Sequence, residues 1–385
     1  MANPFISRQL NLFRGIAGVL MVLNHAGFGW LAPADSREGV VGAAVFLGSA
    51  APGLFFFATG VGMGLSRRSS IDWPLLRKVL LLLVADTFLR WGQQEWLGLD
   101  FFGFCAVSML AVGVVGSSRR GVWWALAAAA ALLLARYAAV PWLGPLAAKW
   151  PALAFATGIE GLPGFSYPLS PWLALPLVGF VVGRGQGAAV GRTARAAAFF
   201  AAVLSCAASA AMAAGGAVVH RWGTVSFAYM LFGAGFVAIA WAFCGGLARL
   251  KRPDTGFLEI RGPASLLVVP IHYALIASVA ALAPPPFDPA VWVAAVIVLV
   301  VATIAAAKWI ASCLRQAGKL PYASALTLVA ISILAVSTAW ALESGSELPC
   351  LLLACAAEVL VAANLAFEKA AAPLAASDGR YDGVK

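Results

Sequence analysis

Apolar stretches of roughly 17–25 residues, the length that crosses a bilayer as a helix, recur along the whole chain. Short breaks carrying Pro, Gly or charge separate them. The pattern places spans at 10–31, 40–66, 75–91, 101–117, 121–140, 170–184, 196–218, 225–247, 262–283, 289–308, 322–342 and 349–367. The 75–91 and 170–184 stretches are the weakest, and either also fits a re-entrant segment. The predicted fold is all-α: a polytopic integral membrane helical bundle of about 10–12 transmembrane helices. Gly and Pro inside spans do not count against it, because neighbouring helices satisfy the freed backbone groups.

Composition narrows the class. The chain is 62% hydrophobic and only 11% charged, more apolar than a soluble globular domain of this length needs. The first segment lacks a small-residue cleavage site and opens a series of spans, so it reads as a span and not as a removable signal peptide. The spans divide the chain into a transmembrane domain at 1–345, an additional C-terminal transmembrane helix at 346–368 and a disordered cytoplasmic tail at 369–385.

The net charge of +10 is a topology signal. With the N-terminus in the cytoplasm, twenty Lys and Arg fall on the inner side, five on the outer side, and Arg14 lies within a span. The positive-inside rule then puts both termini in the cytoplasm. No nucleic-acid partner is implied. The six cysteines sit in or beside apolar spans with no CxxC pair, so they read as small buried residues and not as a disulfide or metal framework. The longest outer segment, 141–169, is rich in Pro, Gly and Trp and long enough to cover a site.

Candidate chemistry begins with Arg14 and His25 in the first span. Ionisable residues are rare inside membrane helices and commonly functional. Eleven helical residues end about 20° from three full turns, so the two side chains share one stripe about 16 Å apart along the axis. His25 can serve as a general base; a buried histidine bonded to a helix carbonyl is the plainer reading. Arg14 taken alone is also explained by snorkelling to the inner headgroups. Asp86, deep in the third span, either orients His25 or forms an ion pair with Arg14 or Arg90. The run Pro52–Gly60 leads into Gly60, Gly62 and Gly64, small residues that let helices approach closely. Arg67, Arg68, Arg77 and Lys78 follow it, either as an ordinary inner flank or as ligands for a phosphate-bearing donor. Glu358 in the last span reads as structural or oligomeric. Trp142, Trp150 and Trp172 suit either an interface belt or stacking on a sugar.

These residues also resemble known signatures. Arg14, ten intervening residues and His25, in the context Arg14-Gly15-Ile16-Ala17 to Val22-Leu23-Asn24-His25-Ala26, resemble the first-helix signature of the acyltransferase 3 family. Phe55-Phe56-Phe57-Ala58-Thr59-Gly60, followed by Arg67 and Arg68, is similar to its second signature, with Thr-Gly where Ser-Gly is usual. Ser170-Pro171-Trp172-Leu173 through Gly179 and Gly183-Arg184 resembles a helix of the related heparan-glucosaminide N-acetyltransferase-like group. Ala264-Ser265-Leu266 through His272-Tyr273 resembles a late helix ending in Tyr-x-x-His, written here Val-Pro-Ile-His.

The resemblance covers roughly residues 8–275 and implies an integral-membrane O- or N-acyltransferase. Such enzymes take an acyl group, often acetyl, from cytoplasmic acetyl-CoA or another acyl-CoA, with no metal. They pass it to a hydroxyl or amine, commonly of an envelope glycan or other extracytoplasmic acceptor. Carried onto this chain, Arg14, Arg67 and Arg68 hold the donor. His25 is the base or an acyl relay, and Asp86 is its candidate support. The Ala-rich composition fits a bacterial cytoplasmic (inner) membrane. The alternative is a multi-span secondary transporter, which also uses intramembrane Arg, His and Asp. Transporters of that kind commonly carry internal repeats, and no second copy of the Arg–His segment stands in residues 196–385.

Overall fold

A computed structural model of the chain describes residues 4–66, 71–96, 98–158, 166–185, 192–216, 225–250, 253–262, 264–318 and 322–375. They are helical almost throughout. The chain runs through α1 (Pro4–Trp30), α2 (Gly39–Gly48), α3 (Ala51–Leu65), α4 (Trp73–Gly92), α5 (Phe101–Gly116) and α6 (Gly121–Tyr137). Two short helices follow, α7 (Val140–Ala147) and α8 (Pro151–Thr157). Then come α9 (Leu169–Trp172), α10 (Ala174–Gly185), α11 (Arg192–Ala214), α12 (Phe227–Arg249), a short 3-10 helix (Pro253–Leu258), α13 (Ala264–Leu282), α14 (Pro289–Ala317), α15 (Ala323–Glu343) and α16 (Glu347–Ala375).

Among the described residues, eight helical stretches are long and apolar enough to cross a membrane. Three shorter apolar helices, Phe101–Gly116, Gly121–Tyr137 and Leu169–Gly185, pack with them. The helix α4 is long enough but carries Arg77, Lys78, Asp86 and Arg90. The protein is therefore an integral membrane helical bundle. Apolar exposure fits this: Ile297, Val298 and Val301 of α14 and Ile333, Val336 and Trp340 of α15 all stand exposed. A helix that is apolar all round and still exposed belongs against lipid.

The span expected at 40–66 stands as one apolar stretch, Gly39–Leu65, with a turn at Ser49 and Ala50 between α2 and α3. The helix expected as an addition at 346–368 is α16, which packs against α4, α13 and α15 and accepts Arg77 on Asn364. Its helix continues past residue 368 to Ala375, into the stretch expected to be a tail; residues 376–385 lie outside the described residues.

The largest apolar core gathers on the Phe-rich start of α3. The Phe56 ring lies 4.4 Å from that of Phe104 and 5.8 Å from that of Trp172, and Phe57 lies 5.6 Å from Trp241. The Phe-rich signature is thus packing. Below it, α3 and α10 cross backbone to backbone. A Cβ on Gly60 would strike the Pro176 carbonyl, and one on Gly179 the Phe57 carbonyl. Gly64 and Gly183 repeat the close approach one turn on. This small-xxx-small seam on both helices is how membrane helices gain close packing without a hydrophobic drive between them. Gly60→Val should lower stability by about 1–3 kcal/mol, read as an earlier thermal unfolding in detergent. Gly62→Ala should change it little, since its Cβ meets only the Arg14 guanidinium, at 3.3 Å. Equal melting of the two variants would contradict this seam.

Candidate functional site

The site is built on the second half of α1. Small residues there admit α13 closely: Gly18 faces Val268, and Gly29 faces Ile276. Two hydrogen bonds fix the rotation of α1. Asn24 Nδ2 donates to the Val45 carbonyl at 3.0 Å, which is available because the break after α2 turns the Ser49 N–H toward Phe46 and Leu47 instead. Trp292 Nε1 of α14 donates to the Ala26 carbonyl at 3.1 Å. Between these anchors, His25 is held against α13.

There the His25 ring meets His272 edge to edge, centroids 4.9 Å apart and planes 10° apart, and the Tyr273 ring centroid lies 4.8 Å away. His25 Nδ1 lies 2.6 Å from His272 Nε2. The other nitrogen of His272, Nδ1, lies 2.7 Å from the Val268 carbonyl. A carbonyl only accepts, so His272 Nδ1 carries the proton and a neutral His272 offers a lone pair at Nε2. His25 Nδ1–H is then the donor, which leaves the lone pair of His25 on Nε2. The Tyr273 hydroxyl stands 3.4 Å from that nitrogen. His272 is fully buried, while His25 and Tyr273 line a cavity of about 360 Å³.

The cavity lies toward the C-terminal end of α1 and has a polar wall beside His25 and Tyr273. Arg90, Gln93, Glu95, Asp100, Ser166 and Tyr167 line it. Arg90 pairs with Glu95, stands 3.6 Å from Asp100 and reaches Gln93 Oε1 at 3.3 Å. Gln93 Nε2 donates to Asp100 Oδ2 at 3.2 Å. Arg90 Nε is buried with no hydrogen-bond partner among the described residues. Ser166 and Tyr167 come from the end of the segment expected to cover a site, whose first part forms α7 and α8. The wall therefore presents a cation, carboxylates, an amide and a phenol beside the aromatic rings of Phe101 and Tyr167.

The family model described as heparan-alpha-glucosaminide N-acetyltransferase, catalytic, matches residues 7–210. The chain belongs to this family. Acetyl transfer at a membrane is therefore its class of reaction, which favours the transferase over the transporter reading. The match bears out the heparan-glucosaminide side of the resemblance and does not speak for the acyltransferase 3 side. No curated protein and no solved structure matches the chain.

The stretch matching the N-acetyltransferase family contains His25, Arg14 and the whole of the polar wall, but α13 lies beyond it. Arg14 sits on α1 with its guanidinium over Gly62 of α3. Arg67 and Arg68 lie outside the described residues. Asp86, expected to orient His25 or to pair with Arg14 or Arg90, has no hydrogen bond or ion pair with any of the three among the described residues. Its Oδ2 accepts the Asp100 N–H at 2.8 Å, and the carboxylate lies against the backbone at Gly103. It thereby caps the first turn of α5 from a neighbouring helix. The cause is the missing Cβ at Gly103, which lets the carboxylate come against the backbone. Partners of His25 come instead from α13. A His-Tyr pair inside an apolar span was the sequence signal for them. Trp172 is buried against Phe56 and Tyr167, so it is core and not a sugar platform, whereas Trp142 and Trp150 are exposed.

Proposed function

We propose that the chain transfers an acetyl group from cytoplasmic acetyl-CoA to an amine or hydroxyl of a glycan sugar held in the cavity beside His25. The observation that carries this reading is the ordered pair His25–His272. His25 Nδ1 is engaged by a buried acceptor, and Nε2 is the basic nitrogen left on a cavity-lining residue. The acceptor's N–H or O–H gives its proton to Nε2 as its nitrogen or oxygen bonds to the acetyl carbonyl carbon. The carbon–sulfur bond then breaks, and the thiolate of coenzyme A takes the proton back from Nε2. This is general-base followed by general-acid work by one imidazole.

The polar wall supports a sugar acceptor. Its donors and acceptors match hydroxyl and amine groups, and its aromatic rings offer faces for the apolar side of a sugar. Arg14 supports a donor path along α1, about 16 Å from His25 toward the inner end. Arg67 and Arg68, at the inner end by the positive-inside rule, are the proposed phosphate ligands. The family's name makes a glucosamine-terminated oligosaccharide the first acceptor to try. Purified protein should acetylate it from acetyl-CoA and bind acetyl-CoA saturably. Arg14→Ala should weaken that binding with the thermal transition kept. Absence of binding by folded wild-type protein would overturn the reading and turn attention to substrate flux.

A further inference from the structure

A second cavity, of about 300 Å³, lies at the opposite end of the bundle from the His25 cavity. Arg261, Lys308 and Arg315 line it, with Glu259 and the small side chains of Ala264 and Ala311. The negative charge of Glu259 is matched by Arg8, whose Nε donates to Oε1 at 2.7 Å. Three cations therefore face the space without a matching anion among the described residues. Lys308 is fixed in place, with Nζ donating to the Gly256 carbonyl at 2.6 Å and the Phe257 carbonyl at 3.2 Å. An ammonium has three protons, so one remains for a ligand. Arg261 and Arg315 are exposed, and their guanidinium groups donate no hydrogen bond to protein among the described residues.

The neighbourhood of this cavity is apolar and exposed. Val301, Lys308 and Arg315 of α14 are spaced by seven residues, which keeps them on one stripe of a helix. Val301 and, beside it, Ile297 and Val298 are exposed. Trp309, next to Lys308, is 69% exposed, the place of an interfacial tryptophan. A ligand here meets cations at one end and a lipid-facing helix stripe at the other. The route along Arg14 and His25 is separate. Gly15 of α1 sits against the Leu258 carbonyl, and the Ile260 N–H donates to the Asn11 carbonyl at 3.1 Å. That backbone seam closes α1 onto the segment leading to Arg261.

We propose that this cavity binds the phosphate headgroup of an anionic phospholipid from the cytoplasmic leaflet, its acyl chains lying along the exposed face of α14. The headgroup phosphate sits among Arg261, Lys308 and Arg315. Basic pockets between helices on the cytoplasmic side suit such headgroups, and the positive-inside rule puts this end in the cytoplasm.

The test uses the full-length protein in a neutral detergent. It is titrated with dioctanoyl phosphatidylglycerol and, separately, with dioctanoyl phosphatidylcholine, and the thermal transition is read. Phosphatidylglycerol should raise the transition saturably and phosphatidylcholine should not. The double variant Lys308→Gln, Arg315→Gln should weaken the effect about tenfold or more, and Arg119→Gln should not. If the double variant fails to fold, Arg261→Gln, an exposed position, carries the same expectation at smaller size. Equal response to both lipids, or unchanged response in the variants, overturns the proposal. Competition by coenzyme A or inorganic phosphate would assign the cavity to a soluble phosphate and overturn the lipid assignment. None of these outcomes depends on acetyl transfer.

Discussion

Replacing His25 by Ala should cut acetyl transfer by about 10²–10⁴-fold, the range a positioned general base contributes, in a chain that remains folded. Among the described residues, His25 is the histidine that lines the cavity, and its Nε2 lone pair meets the Tyr273 hydroxyl at only 3.4 Å. Its side chain bonds to neighbours only through the ring, and the rotation of α1 is held independently by Asn24 and by Trp292. The substitution therefore removes the base without removing the anchors. The measurement is initial rate against acetyl-CoA and acceptor, with the thermal transition followed in parallel. The loss should fall in kcat, because the polar wall and the Arg14 end of α1 are untouched. Wild-type kcat in a folded His25→Ala protein would end the general-base account.

His272 is expected to give the second-largest effect. It touches no ligand in this reading; it positions His25. Its Nε2 accepts from His25 Nδ1, which selects the tautomer with Nε2 free. When Nε2 takes a proton, the same bond becomes charge-assisted and stronger, so His272 also favours the transient cation. His272→Ala should leave the Nδ1–H of His25 without its acceptor, at a cost of about 1–3 kcal/mol. It should also lower kcat by about tenfold or more, within the range set by the base itself. His272→Gln restores an acceptor oxygen, and His272→Leu restores only volume. The expected order of kcat is wild type, then Gln, then Leu and Ala, with KM for acetyl-CoA little changed. Equal kcat in the Gln and Leu variants, at equal thermal stability, would reduce His272 to packing.

Bond partners explain why Asp86 does not join this pair. A carboxylate deep in a span needs hydrogen bonds, and α5 offers them where Gly103 leaves its backbone open. Asp86→Asn should therefore act on stability more than on kcat, since an amide oxygen still caps the Asp100 N–H. The comparison that checks this is kcat against thermal transition for the Asn and Ala variants, with the Ala variant melting earlier.

What the sequence by itself determined is whatever depends on the chain's local pattern. Spans follow from runs of apolar residues, because a bilayer accepts only helices that satisfy their own backbone. The Arg14–His25 stripe follows from helical spacing alone. The close approach of Gly60 and Gly64 follows from missing side chains. Partners were beyond its reach, because helices distant in sequence meet by packing that no local period encodes. Only the tertiary structure brings His272, 247 positions from His25, to within 2.6 Å of it. Only it sends Asp86 to α5 and closes the polar wall of Arg90, Gln93 and Asp100 across the cavity. Inside a membrane, apolar faces look alike to one another. Rotation and pairing of the helices are set by small residues and a few buried hydrogen bonds, and those are legible once both sides of each contact are in view.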